Sequence, residues 1–165
     1  MKNQIAIVCP SAHLESYVRS TFMKEPYITT ALGTTFHTNN KDTVGLLIES
    51  IELNDVDQVS FVCDLNAHMI REFLAGHSTG VVTVDRFYQF VFDQYEDEIM
   101  ETDSAYKQRF SFTEFLIKEQ VRELCTTLSQ TGNPVIENLQ IDGYIVDRSA
   151  DMKWSIISPE YSTVK

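Results

Sequence analysis

The pattern of apolar and polar residues predicts an alternation of short strands and amphipathic helices. Three short runs of apolar or β-branched residues predict strands: 5–9, 29–36 and 59–63. Apolar residues at spacings of three and four predict helices between them: 11–23, which Ser11 would cap, and 44–53. This β-α-β-α-β order implies right-handed crossovers and a parallel sheet that helices cover on both faces.

The second half of the chain is less regular. Residues 81–84 are consistent with a short strand, and the aromatic run 87–92 is compatible with a helix or a strand. An apolar stripe along 115–128 predicts the strongest helix. Two further runs predict an antiparallel hairpin: 141–147 and 153–158. We therefore expect a single α/β domain over 1–165, with a central, mostly parallel sheet flanked by helices and a C-terminal edge hairpin.

Composition narrows the set of partners. The 165 residues carry 24 acidic and 13 basic side chains, a formal charge of −11, so phosphate backbones and anionic membranes would be repelled. We expect no nucleic-acid or membrane partner. The chain shows no membrane-spanning apolar run and no signal-peptide pattern, and its three cysteines, widely spaced, form no C-x-x-C motif. A cytoplasmic protein with reduced thiols is the expectation.

Candidate chemistry lies at the carboxyl ends of the predicted strands, where α/β proteins bind ligands. Cys9 closes the first strand and Cys63 closes the third, so 10–13 and 64–68 are expected to face each other across a crevice. Asp64 is interpreted as the cap of the following helix and Cys63 as a packing residue.

Other motifs either are absent or favour an ordinary structural role. Neither G-x-G-x-x-G nor G-x-x-x-x-G-K occurs, which leaves nucleotide chemistry unsupported. The acidic stretch 93–103 lacks the spacing of a calcium loop and indicates a solvated helix face or loop. A nucleophilic Cys9, activated by His13, by His68 or by a helix N-terminus, stays open as an alternative.

Two long stretches carry a resemblance to a known family. Residues 45–63 read GLLIESIELNDVDQVSFVC, a helix leading into a strand, and 141–151 read IDGYIVDRSAD after a helix and a Pro-containing loop. Together they resemble the β-class carbonic anhydrases, in which a similar helix precedes a hydrophobic, His-Gly, hydrophobic, Tyr-Asp hairpin. The resemblance implies the fold of that family and a homodimer. The aromatic run 87–92 and Trp154 would suit the interface of such a dimer, and they would suit a core equally well.

The same resemblance places a zinc site at the crevice. Family members hold zinc with the Cys of a Cys-x-Asp-x-Arg motif and with both ends of a His-x-x-Cys motif. Here Cys9 matches the first ligand, whereas Ser11 and His13 replace the aspartate and the arginine. In the second motif Leu65 stands in the histidine position and His68 in the cysteine position.

Two functions are compatible with this altered motif. A leucine deletes one of the three protein ligands that catalytic zinc needs, which favours a non-catalytic homologue with a binding or structural role and a possible small-molecule ligand. The alternative is a rebuilt zinc site of Cys9, His13 and His68, acting as a lyase or hydrolase on a small substrate such as carbon dioxide.

Overall fold

The computed structural model describes residues 3–22 and 26–156, and these residues form one mixed sheet with helices around it. The strands are β1 (Asn3–Val8), β2 (Tyr27–Thr30), β3 (Val56–Asp64), β4 (Gln140–Asp147) and β5 (Met152–Ile156). The helices are α1 (Glu15–Thr21), α2 (Lys41–Leu53), α3 (His68–Leu74), α4 (Val82–Gln94), α5 (Glu96–Met100) and α6 (Ala105–Thr131). The strand order is β2-β1-β3-β4-β5.

The sheet has the predicted topology. Strands β1 to β4 pair in parallel, and β5 pairs antiparallel to β4 as the edge hairpin. The strands β1 and β3 are buried over most of their length, as expected for central strands of a sheet covered on both faces. The α/β prediction, mostly parallel with a C-terminal hairpin, is therefore confirmed.

Helix α6 packs closely across the sheet, and one glycine makes this possible. A Cβ atom placed on Gly143 of β4 would lie 2.1 Å from Cγ2 of Ile117 on α6. The helix is longer than predicted because its buried stripe begins at Phe112, before the run that the sequence pattern marked. It ends, as predicted, at Gly132, whose φ of 62° is left-handed.

The prediction of a short strand at 81–84 is wrong, because Val81 is the N-cap of helix α4 and the next three residues belong to that helix. Val84, Tyr88 and Val91 are buried at helical spacing, which also assigns the undecided aromatic run to a helix. The valines had favoured a strand because of their β-branched side chains. Tyr88 belongs to the core, whereas Phe90 is 45% exposed.

Two early elements are shorter than predicted. The backbone turns sharply at Gly33, with φ 62°, so the second strand ends at Thr30. The first helix begins at Glu15 rather than at Ser11, because Pro10–Ala12 form a short 3-10 turn that His13 ends with a φ of 51°. The last part of the predicted strand 153–158, residues 157 and 158, lies outside the described residues.

None of the helices within 3–22 and 26–156 combines the length and apolar character needed to cross a bilayer.

Candidate functional site

The carboxyl ends of three neighbouring strands meet at one edge of the sheet. Val8 of β1 pairs with Val62 of β3, so Cys9 and Cys63 follow on adjacent strands. Strand β4 lies on the other side of β3 and is followed by Arg148. This is the edge of the sheet where the sequence predicted a crevice.

The Cys9 thiol is buried and belongs to a short hydrogen-bonded chain. The backbone N–H of Gly33 donates to Cys9 Sγ across 3.2 Å, and Ser11 Oγ lies 3.0 Å from the same sulfur. The Tyr88 hydroxyl donates to the Gly33 carbonyl oxygen at 2.9 Å. Gly33 thus connects Cys9 to helix α4, and its left-handed φ explains why a glycine stands there.

The surroundings of Cys63 are apolar enough to keep its thiol protonated. Burial raises the pKa of Cys63 to about 12, the Thr34 hydroxyl opposes the rise, and the nearby Cys9 and Asp64 add to it. Burial likewise raises the pKa of Tyr88 well above its ordinary value, with further contributions from the two cysteines. The Cys63 thiol and the Tyr88 phenol are therefore neutral at neutral pH. The prediction of Cys63 as a packing residue agrees with its 1% exposure.

Arg148 and Asp64 form the charged part of the site. Nε of Arg148 donates to Oδ2 of Asp64 at 2.8 Å, and the Asp64 side chain is only 4% exposed. The remaining guanidinium nitrogens donate to the carbonyl oxygens of Ala12, at 2.9 Å, and His13, at 3.3 Å. One arginine therefore joins the two segments that were predicted to face each other.

Asp64 does not cap helix α3, contrary to the sequence interpretation. Its Oδ1 accepts the backbone N–H of Asn66 at 2.8 Å, which closes a tight turn ahead of the helix. The N-cap residue of α3 is Ala67, whose side chain makes no capping hydrogen bond. The carboxylate is engaged by the turn and by Arg148 instead.

A second buried carboxylate, Asp147, stabilises the same edge. Its Oδ1 accepts from Asn66 Nδ2 at 3.1 Å and from the hydroxyl of Ser149 at 2.5 Å, and its Oδ2 accepts from the hydroxyl of Tyr106 at 3.3 Å. The hydrogen bond from Ser149 is the main reason why the pKa of Asp147 lies below its ordinary value. The turn after β3, the hairpin and α6 are thereby held together.

The two histidines of the predicted metal site lie in exposed positions. The His68 side chain is 72% exposed, and its Nδ1 lies 3.8 Å from a carboxylate oxygen of Glu72 on the same helix. His13 is exposed, and its backbone adopts the left-handed conformation directly after the 3-10 turn. Neither ring makes a hydrogen bond to Cys9 in the part of the chain that the structure describes. Leu65, in contrast, is completely buried.

This donor arrangement does not fit a catalytic zinc ion. Such an ion needs three protein ligands converging on one point. Across residues 3–22 and 26–156, no group of three or more His, Cys, Asp or Glu side chains is placed to hold a metal ion. Cys9 accepts a backbone hydrogen bond, His68 faces solvent beside Glu72, and the carboxylate of Asp64 is paired. The shared site of Cys9, His13 and His68 stays a prediction.

Sequence reasoning missed Arg148, Gly33 and Tyr88. Arg148 could have been found, because it follows a strand whose carboxyl end lies beside that of β3. In the sequence, Gly33 only weakened the prediction of a strand. Its hydrogen bond to Cys9 joins residues 24 positions apart, which a local pattern does not reveal. Tyr88 lay in a run whose helical or extended state was undecided.

The structure of this protein is similar to known structures, whereas comparison of its sequence with known families and proteins finds no match. No protein-family model matches the chain, and no curated protein sequence matches it either. Solved structures do match, across almost all of the chain and at low sequence identity.

The matching structures are β-carbonic anhydrases. The chain is similar to CafA of Aspergillus fumigatus, with a TM-score of 0.75 and 14% identity over 96% of this chain and 78% of that one. It is also similar to one of two tetrameric enzymes from Sordaria macrospora, with a TM-score of 0.74 and 9% identity over 95% and 81% of the chains. A Coccomyxa enzyme in complex with acetazolamide matches with a TM-score of 0.73 and 11% identity over 98% and 74%. This protein therefore has the β-carbonic anhydrase fold.

Proposed function

We propose that this protein is a non-catalytic homologue of the β-carbonic anhydrases, which keeps the scaffold for a binding or structural role. The ion pair between Arg148 and Asp64 is the observation that carries the proposal. It occupies the edge of the sheet where the resemblance places zinc chemistry. Because Arg148 and Asp64 are paired with each other, this carboxylate is not free for a metal ion, and residues 3–22 and 26–156 contain no group of three donors placed to hold one.

The residue pattern supports the same conclusion by an independent route. Zinc acidifies bound water only when three protein ligands leave one position open. Leu65 stands where the family pattern has a histidine, and its buried side chain offers no donor atom. We therefore expect negligible hydration of carbon dioxide.

Metal analysis of protein purified without a histidine tag, in zinc-supplemented buffer, tests the proposal. We expect well below one zinc per chain and no hydration above the uncatalysed rate in stopped-flow measurements. The double variant Leu65→His with His68→Cys restores the family's second motif and should gain zinc, about one ion per chain. Circular dichroism of this variant checks that the fold survives the change of a buried leucine.

The opposite result would favour the rebuilt site. Stoichiometric zinc in the wild type, lost in the Cys9→Ser, His13→Ala and His68→Ala variants, would contradict the proposal and support a lyase or hydrolase built on those residues. Removal of the metal with a chelator would then also remove the activity. A Cys125→Ser variant, changed at a cysteine outside the crevice, is the matched control.

We also propose a homodimer located in the cytoplasm. The resemblance implies the dimer, and the Sordaria relatives by structure are described as tetrameric. All three cysteines lie in the described ranges, are buried, and form no disulfide there, which suits a reducing compartment. Light scattering after size-exclusion chromatography measures the oligomeric state, and a monomer at all concentrations would contradict the dimer.

A further inference from the structure

A separate cavity lies away from the paired groups of the crevice. It has a volume of about 420 Å³ and opens between α4, α6 and the segment that follows β2. This volume lies within the range of small-molecule sites in proteins. Its lining combines aromatic side chains from two segments with polar side chains and with two charged side chains of opposite sign, Arg86 and Glu123.

The aromatic side chains provide an apolar wall. Phe36 contributes from the segment after β2 and is nearly buried, while Phe87 is half-buried and Phe90 is 45% exposed on α4. The rings of Phe87 and Phe90 lie 6.1 Å apart between centroids. An apolar group bound against them would remove aromatic surface from water, which is favourable in proportion to the area covered.

Arg86 supplies a positive charge beside this wall. In the described ranges its guanidinium group forms no ion pair with a carboxylate, although the chain carries a net charge of −11. The guanidinium geometry suits two parallel hydrogen bonds to a carboxylate. Arg86 is therefore available to bind the carboxylate of a ligand.

Glu123 supplies the negative charge. Burial is the main cause that raises the pKa of its carboxyl group, followed by the neighbouring Glu119. Arg122 and the Thr38 hydroxyl oppose this rise only in part, because Arg122 is bound to Glu119 and the contact from the Thr38 hydroxyl to Glu123 is long, at 3.5 Å. A ligand ammonium group would compensate this carboxylate better than the protein does.

We propose that this cavity binds an α-amino acid with an apolar side chain. Arg86 holds its carboxylate, Glu123 holds its ammonium group, and the wall formed by Phe36, Phe87 and Phe90 takes its side chain. The inference goes beyond the proposed function and is tested independently of it. Zinc bound near Cys9 would overturn the proposed function and would leave this cavity unchanged.

Calorimetric titration of the full chain with three matched compounds tests the inference. L-Phenylalanine carries both charges, 3-phenylpropionate lacks the ammonium group, and phenethylamine lacks the carboxylate. We expect phenylalanine to bind most tightly. Arg86→Gln should weaken phenylalanine and phenylpropionate by about tenfold or more, whereas Glu123→Gln should weaken phenylalanine and phenethylamine and spare phenylpropionate. Arg71→Gln and Glu49→Gln, exposed residues outside the cavity, are the controls.

Several results would overturn the inference. These are equal binding of the three compounds, binding that neither cavity variant changes, and no detectable binding by any of them. Amide shifts in NMR spectra that centre on Phe87 and Phe90 on raising the protein concentration alone would assign the cavity to a contact between two copies, and would also overturn it. Unchanged spectra of the variants away from the cavity show that they fold.

Discussion

Nε and Nη2 of Arg148 both lie 2.8 Å from the same carboxylate oxygen of Asp64, a residue 84 positions earlier in the sequence. The aspartate is almost fully buried, and the arginine is 43% exposed on its side chain. The guanidinium group also binds the carbonyl oxygens of Ala12 and His13. A single side chain thus joins the carboxyl ends of β1, β3 and β4.

Removal of this arginine should destabilise the fold. In Arg148→Gln the buried carboxylate of Asp64 keeps the N–H of Asn66 and loses its cation. An inadequately paired buried charge costs about 1 to 3 kcal/mol, and the exposure of Arg148 favours the lower part of that range. Urea denaturation at neutral pH measures the loss in the free energy of unfolding.

A double-mutant cycle separates the pair from the rest of the arginine's contacts. Asp64→Asn combined with Arg148→Gln should cost less than the sum of the single changes, with a coupling of about 0.5 to 3 kcal/mol. Strict additivity would mean that the carbonyl contacts to Ala12 and His13 account for the effect. Arg71→Gln, on the exposed surface of α3, serves as the control for loss of one positive charge.

Two glycine-to-alanine changes should have opposite effects on stability. A Cβ atom at Gly143 meets Ile117 at 2.1 Å, so Gly143→Ala must displace α6 from the sheet and should cost about 1 to 3 kcal/mol. At Gly45, inside α2, no atom lies within 4 Å of the added carbon. Gly45→Ala should therefore stabilise the protein by about 0.5 to 1 kcal/mol, through helix propensity.

Thermal and chemical denaturation of both variants measure this difference. A neutral Gly143→Ala variant would mean that α6 packs farther from β4 than the structure places it. A destabilised Gly45→Ala variant would mean that another surface covers the exposed face of α2.

Asp142 and Asp147 on strand β4 should make stability depend on pH in opposite directions. Burial raises the pKa of Asp142 above 3.8, although four hydrogen bonds from its neighbours oppose the rise. The folded protein then holds this proton more tightly than the unfolded chain, so the stability that Asp142 contributes is complete below pH 3.8 and is lost as pH rises through the raised pKa.

For Asp147 the sign is reversed. Its pKa is lowered below 3.8, chiefly by Ser149, so its contribution is present above that pH and is lost as pH falls through the lowered value. Urea denaturation from about pH 3 to pH 8 should show the stability of the wild type relative to Asp142→Asn falling with rising pH, and relative to Asp147→Asn rising with it. The same slope for both variants would contradict the assignment.

The cysteines should be inert in the folded protein. Burial raises the pKa of Cys63 to about 12 and that of Cys125 to about 11, and Cys9 is 2% exposed. Since the thiolate is the reactive form, an aromatic disulfide reagent at pH about 8 should label no thiol until urea unfolds the chain and exposes three. If one thiol of the native protein reacts rapidly with the reagent and the Cys9→Ser variant lacks this reaction, the interpretation of Cys9 as a nucleophile is supported.

The sequence by itself determined the class of fold. Apolar runs such as the one ending at Cys63, and stripes such as that of Ile117 and Val121, repeat with the periods of strands and helices, and this periodicity is local. It failed at 81–84, where the valines favoured a strand although Val84 lies on the buried stripe of helix α4. The candidate crevice also followed from the strand ends, because parallel strands bring their carboxyl ends to one edge.

The tertiary structure alone decided which side chains meet at that edge. Arg148 contacts Asp64 across 84 positions, and Tyr88 reaches the carbonyl of Gly33 across 55. Such contacts depend on strand order and on register, and a shift of one residue turns every side chain of a strand to the other face. Apolar periodicity does not encode these pairings, so the ion pair between Arg148 and Asp64 became visible only in the folded chain.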